Sequence, residues 1–178
     1  MSLDALRESL PAYARDIALN LGVLAGEDTL TPQQKWGCFL ASAHAIGTPA
    51  VVKAVEAEAK AAGLSDEARE AARAAAAIMG MNNVYYRALH IMHNDEYRSL
   101  PARLRMQVIG NPGVDKADFE LWAMAVSAIN GCGACMDAHE EELKKRSVSP
   151  QAIQAALRIA SVVNAASRVV AGEAAAAS

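Results

Sequence analysis

The stretch LSDEAREAARAAAAIM, Leu64 to Met79, decides the fold. Ser65 offers a side-chain oxygen that can cap a helix, and Asp66 and Glu67 put negative charge on the first turn. The run behind them is rich in alanine, the best helix former. A similar pattern returns in VSPQAIQAALRIASVV, Val148 to Val163. Upstream of each, at almost the same offset, WGCFLASA (Trp36 to Ala43) resembles LWAMAVSA (Leu121 to Ala128). The chain therefore reads as two similar units of three helices. In that alignment Gly47 and Ala50 stand where the second unit has Cys132 and Cys135, so any cysteine chemistry belongs to the second unit alone.

Working outward, Thr31-Pro32, Thr48-Pro49 and Ser149-Pro150 each place a capping residue before a proline at the first helical position. These signals predict helices over 3–9, 12–24, 32–46, 49–61, 65–90, 98–109, 115–130, 132–147 and 150–171. The long fifth helix is expected to break at Met79-Gly80, and the tail AGEAAAAS is expected to fray. No run alternates with period two, so no strand is expected. The fold class is all-α, as one helical domain over 1–178 with an internal two-fold repeat. N-terminal helices occupy 1–30, the first repeat about 31–95, a connecting helix about 96–113, and the second, catalytic repeat about 114–172.

Composition narrows the function. With 53% apolar residues, the 178-residue chain can bury a sizeable core. A net charge of −3 with no basic stripe argues against a nucleic-acid partner. No run approaches about 20 apolar residues, so no membrane span is expected. The opening MSLDALRESLPAYARD lacks the basic and apolar regions of a signal peptide, which points to the cytoplasm. In a reducing compartment a close cysteine pair is catalytic or metal-binding rather than a structural staple.

That pair lies in INGCGACMDAHEEELKK, Ile129 to Lys145. Asn130-Gly131 ends one helix and sets Cys132 at the start of the next, where unpaired N–H groups favour a thiolate. Gly133 and Ala134 add little bulk, leaving both sulfurs accessible. His139, four residues after Cys135 and seven after Cys132, shares their helix face. It can take or relay a thiol proton. Glu120 lies near the start of the preceding helix. Antiparallel packing would leave it at the far end from the cysteines, so spacing does not bring it to them. The same residues also fit an incomplete Cys2His zinc site in a non-catalytic module. Cys38 reads as core, and His44 as a satisfied interhelix histidine. His90 and His93 read as a solvated helix end, and Met79, Met81 and Met92 as core fillers. EEELKK reads as an exposed face with Glu–Lys pairs one turn apart.

Three blocks taken together carry a resemblance: MGMNNVYYR (Met79 to Arg87), LRMQVIGNPGVDKADFELWAMAVSAINGC (Leu104 to Cys132) and CGACMDAHE (Cys132 to Glu140). They resemble the alkyl hydroperoxide reductase D (AhpD) family, and the likeness covers nearly the whole chain. The resemblance implies an all-helical fold like that of carboxymuconolactone decarboxylases, assembled as a homotrimer. It implies an antioxidant thiol peroxidase and adaptor with no bound cofactor. Electrons would come from dihydrolipoyl groups of a dihydrolipoyl acyltransferase, kept reduced by dihydrolipoamide dehydrogenase. They would pass to alkyl hydroperoxides and to an AhpC-type peroxiredoxin.

Residue by residue, the resemblance makes Cys135 the thiol oxidised to a sulfenic acid and Cys132 the proton donor and resolving thiol. It makes Glu120 and His139 the proton relay. One departure is Ala134, where the best-known members carry a histidine, which implies a lower peroxidase turnover. A decarboxylase-type enzyme using only His139 and Glu120 is the alternative on the same fold.

Overall fold

A computed structural model describes residues 1–177, and among them there are ten α-helices, one 3-10 turn and no strand. The helices are α1 (Leu3–Ser9), α2 (Arg15–Ala25), α3 (Pro32–Ile46), α4 (Pro49–Ala61), α5 (Asp66–Ile91), α6 (Glu96–Ser99), α7 (Gln107–Gly110), α8 (Lys116–Ile129), α9 (Gly133–Lys145) and α10 (Pro150–Ala176). The all-α expectation holds.

The helix starts follow the capping chemistry. Ser65 Oγ accepts from the Ala68 amide at 3.1 Å, and Ser149 Oγ from the Ala152 amide at 3.2 Å. Thr31 and Gln34 form a reciprocal capping box. Thr48 behaves differently. Pro49 still opens α4, but the Thr48 hydroxyl donates across to the Ser167 carbonyl at 3.3 Å.

At the centre lies α8, buried without interruption from Asp118 to Ser127. It packs on α3, α5, α9 and α10. The α3–α8 contact is close because Gly37 has no side chain: a Cβ there would collide with the Trp122 indole. Trp122 Nε1 donates to the Gln34 carbonyl at 3.1 Å. Asp118 accepts from both Gln33 and Gln34, at 2.7 and 2.9 Å. The start of α3 is thereby tied to the start of α8.

Three expectations are corrected. Residues 98–109 are not one helix; α6 and α7 are single turns flanking a stretch without regular structure. Pro101 is the cause: the residue before a proline is steered out of the helical region, and Leu100 sits at φ −79°, ψ 137°. The fifth helix does not break at Met79-Gly80 but runs unbroken to Ile91. Among its described residues the tail does not fray, since α10 stays helical to Ala176 and Tyr13 Oη donates to Glu173 Oε1 at 2.6 Å; Ser178 lies outside the described residues.

Candidate active site

The turn between α8 and α9 builds the site. Gly131 takes a left-handed φ of +67°, a conformation that costs little only for glycine. The Cys132 amide donates to the Ser127 carbonyl at 3.1 Å and the Gly131 amide to Ala128 at 3.2 Å. These two bonds close a Schellman motif. Cys132 is at once the last residue of that motif and the N-cap of α9: its carbonyl accepts from the Cys135 and Met136 amides at 3.1 and 3.0 Å. Arg87 of α5 donates to the Asn130 carbonyl and holds the turn from outside.

Cys132 and Cys135 are joined in a disulfide. They are not equivalent, and the expectation that both sulfurs are accessible is corrected. Cys132 is 0% exposed, sealed beneath the turn, whereas Cys135 keeps 8% exposure. Cys135 borders a cavity of about 200 Å³. Ala134, Ala138 and His139 of α9 line it on the same side, and Met79, Asn82 and Tyr86 of α5 face them, with Ile109 of α7 at the edge. Ala134 thus faces the cavity directly.

Glu120 is brought to the site, through His139. Its Oε2 lies 2.6 Å from His139 Nδ1, and both side chains are buried. Oε1 pairs with Lys116 Nζ at 3.1 Å. Burial pushes the Glu120 carboxyl up. The His139 hydrogen bond and charge, with Lys116, outweigh that and hold it below the usual carboxylate value. A carboxylate only accepts, so Nδ1 carries its proton toward Glu120. The other ring nitrogen, Nε2, lies 3.3 Å from Met79 Sδ.

Sequence reasoning missed three contributors. Met79 is buried as expected of a filler, but its sulfur also faces His139. Lys116 neutralises the second oxygen of Glu120. Asn82 is a buried lining residue of the cavity. Lys116 stands one helical turn before Glu120, a spacing visible in the sequence; nothing local marks the other two.

The remaining candidates sit elsewhere. Cys38 is fully buried, and burial first, then Asp118, pushes its thiol far up, which leaves it inert. His44 bridges α3 and α4 through Glu56 at 2.8 Å. His90 and His93 lie exposed at and beyond the end of α5. Met81 is half-buried and Met92 is exposed, so neither fills the core as expected. Glu140–Lys144 and Glu141–Lys145 pair at 2.8 Å on the outer face of α9. Among the described residues no three His, Cys, Asp or Glu side chains are placed to hold a metal ion. No helix among them is long and apolar enough to cross a membrane.

This arrangement sets a dithiol/disulfide couple beside a carboxylate-held imidazole at an apolar cavity. It can exchange two electrons and move a proton at one place. A model of the carboxymuconolactone decarboxylase family matches residues 95–178. The protein called alkyl hydroperoxide reductase AhpD in Hyphomonas neptunium is 63% identical over 175 residues, covering 98% of this chain and 97% of its own. Its namesake in Maricaulis maris is 60% identical over 173 residues, covering 97% and 99%. That of Brucella suis is 57% identical over 167 residues, covering 93% and 94%.

Proposed function

The chain belongs to the alkyl hydroperoxide reductase AhpD family, and we propose that it is a dithiol peroxidase and electron carrier working through Cys132 and Cys135. The observation that carries this reading is the unequal burial of the two sulfurs. Cys135 borders the cavity together with His139, while Cys132 is sealed behind it and bonded to it. An outer sulfur meets the oxidant and an inner one resolves the product.

In the cycle, dihydrolipoyl groups reduce the disulfide by thiol–disulfide exchange through a mixed disulfide. His139, held by Glu120, takes the Cys135 proton. The Cys135 thiolate then reduces an alkyl hydroperoxide, or attacks the disulfide of an AhpC-type peroxiredoxin and regenerates it. Cys132 closes the intramolecular disulfide in either branch. No bound cofactor is needed, because the dithiol itself holds the electron pair. A dihydrolipoyl acyltransferase and dihydrolipoamide dehydrogenase supply the donor in the cytoplasm, and the protein acts as a homotrimer.

The test is a coupled assay of NADH oxidation with dihydrolipoamide dehydrogenase, a dihydrolipoyl acyltransferase and an alkyl hydroperoxide, with and without the peroxiredoxin. NADH consumption should require this protein and increase with the peroxiredoxin. Consumption independent of this protein would sink the carrier role. A decarboxylase-type reaction using only Glu120 and His139 would instead survive Cys135→Ser.

A further inference from the structure

The walls of the cavity beside the dithiol differ in how far water reaches them. Cys135, His139 and Met79 are buried. Ala134, Tyr86 and Ile109 are half-buried and Ala138 is exposed, so the space opens to solvent on their side. Among the described residues no carboxylate, lysine or arginine lines it. On α9 the lining residues form two pairs, each one helical turn apart. Cys135 and His139 are the reactive pair. Ala134 and Ala138, each one residue earlier, run beside them and present only methyl groups. A larger side chain at either alanine would take up part of the cavity.

We propose that Ala134 and Ala138 set the specificity of the peroxide reaction: their small side chains leave room for a compact, uncharged organic group, aryl or branched alkyl, whose hydroperoxide end meets Cys135. The proposal rests on the peroxidase reading above and adds which hydroperoxides that site prefers and why. A cavity of about 200 Å³ suits such a group, since one of about 150 Å³ holds benzene. Its walls are mostly apolar, so seating the group removes apolar surface from water and favours binding. Hydrogen peroxide carries no organic group and gains nothing from the space.

The chemistry balances. The reduced Cys135 thiolate bonds to the terminal oxygen as the O–O bond breaks. The electron pair leaves on the alkoxide, which takes back the proton that His139 drew from Cys135 and departs as the alcohol. Cys135 is now a sulfenic acid. Cys132 then attacks Cys135 Sγ, the S–S bond forms, and hydroxide leaves as water with the Cys132 proton. Both electrons come from the dithiol, which the dihydrolipoyl donor restores.

The experiment fills the cavity in steps. Pre-reduced wild type, Ala138→Val, Ala138→Leu and Ala134→Leu are each mixed with cumene hydroperoxide or with hydrogen peroxide, and thiol loss is followed by rapid quench. The readout is the ratio of the two rate constants, which a general loss of active protein does not move. The wild type should favour cumene hydroperoxide. Ala138→Leu and Ala134→Leu should each lower the ratio roughly tenfold, the worth of about two buried methylene groups, and Ala138→Val should fall between. Because Ala138 is exposed, its variants should melt no lower than the wild type, and they carry the test if Ala134→Leu does not fold. A wild type without preference for cumene hydroperoxide would overturn the specificity role. So would variants that leave the ratio unchanged, whether both rates hold or both fall equally. Either result leaves the peroxidase reading standing, whereas a wild type that loses no thiol to either peroxide would overturn that reading as well.

Discussion

Glu120 Oε2 lies 2.6 Å from His139 Nδ1, although 19 residues separate them in sequence. The α8–α9 hairpin folds back at Asn130–Cys132 and brings the first turns of α8 against the middle of α9. Removing either member should therefore disable the same proton transfer. Glu120→Gln and His139→Phe should each slow thiol oxidation by roughly 10²–10⁴-fold, the usual worth of one general base. Far-ultraviolet circular dichroism should stay unchanged. Near wild-type rates in both variants would eliminate the relay.

The same pair predicts an acid limit. The folded-state value of Glu120 is lowered from its ordinary 4.5, so the unfolded chain takes up its proton first as pH falls. The stabilisation from this carboxylate is present above that ordinary value and is lost as pH drops through the lowered one. The melting-temperature gap between wild type and Glu120→Gln should narrow in acid below 4.5. A gap that holds constant through strongly acid pH would show that the ionised carboxylate contributes nothing.

Gly37→Ala tests the α3–α8 contact. The new methyl would strike the buried Trp122 ring, which is held by its bond to the Gln34 carbonyl. Overpacking of this kind typically costs about 1–3 kcal/mol. Urea denaturation should show a lower midpoint with an unchanged slope, and an unchanged midpoint would mean the two helices can part freely.

Gly131→Ala tests the turn. Its left-handed backbone penalises any Cβ by about 1–2 kcal/mol. Relief of that strain would displace Cys132, so intramolecular disulfide closure should slow more than the first attack on peroxide. Stopped-flow measurement of the two phases separates the effects, and equal slowing of both would contradict this use of the glycine.

Much of the scaffold was legible because it is local. Ser65, Thr31 and Ser149 cap their helices as the sequence suggests, and Cys132 falls at a helix start as Asn130-Gly131 implies. The segment 98–109 was misread because apolar spacing outweighed the effect of Pro101 on Leu100. Glu120 was out of reach because its distance was measured to the cysteines. The hairpin instead pairs it with His139, which links it to the cavity. Met79 and Asn82 come from α5, remote in sequence, and only tertiary packing brings them to α9. The unequal burial of Cys132 and Cys135 was illegible for the same reason. Helix-end electrostatics alone favours Cys132, while the cavity opens on Cys135.

The most direct test traps the reacting sulfur. In Cys132→Ser, treatment with an alkyl hydroperoxide should leave a sulfenic acid on Cys135, captured by dimedone and located by mass spectrometry. The same variant should accumulate a mixed disulfide with the peroxiredoxin through Cys135. In Cys135→Ser neither adduct should form efficiently, because Cys132 is sealed beneath the turn. An adduct found on Cys132 instead, with Cys135 unmodified in Cys132→Ser, would contradict the assignment of the cavity-facing sulfur as the nucleophile.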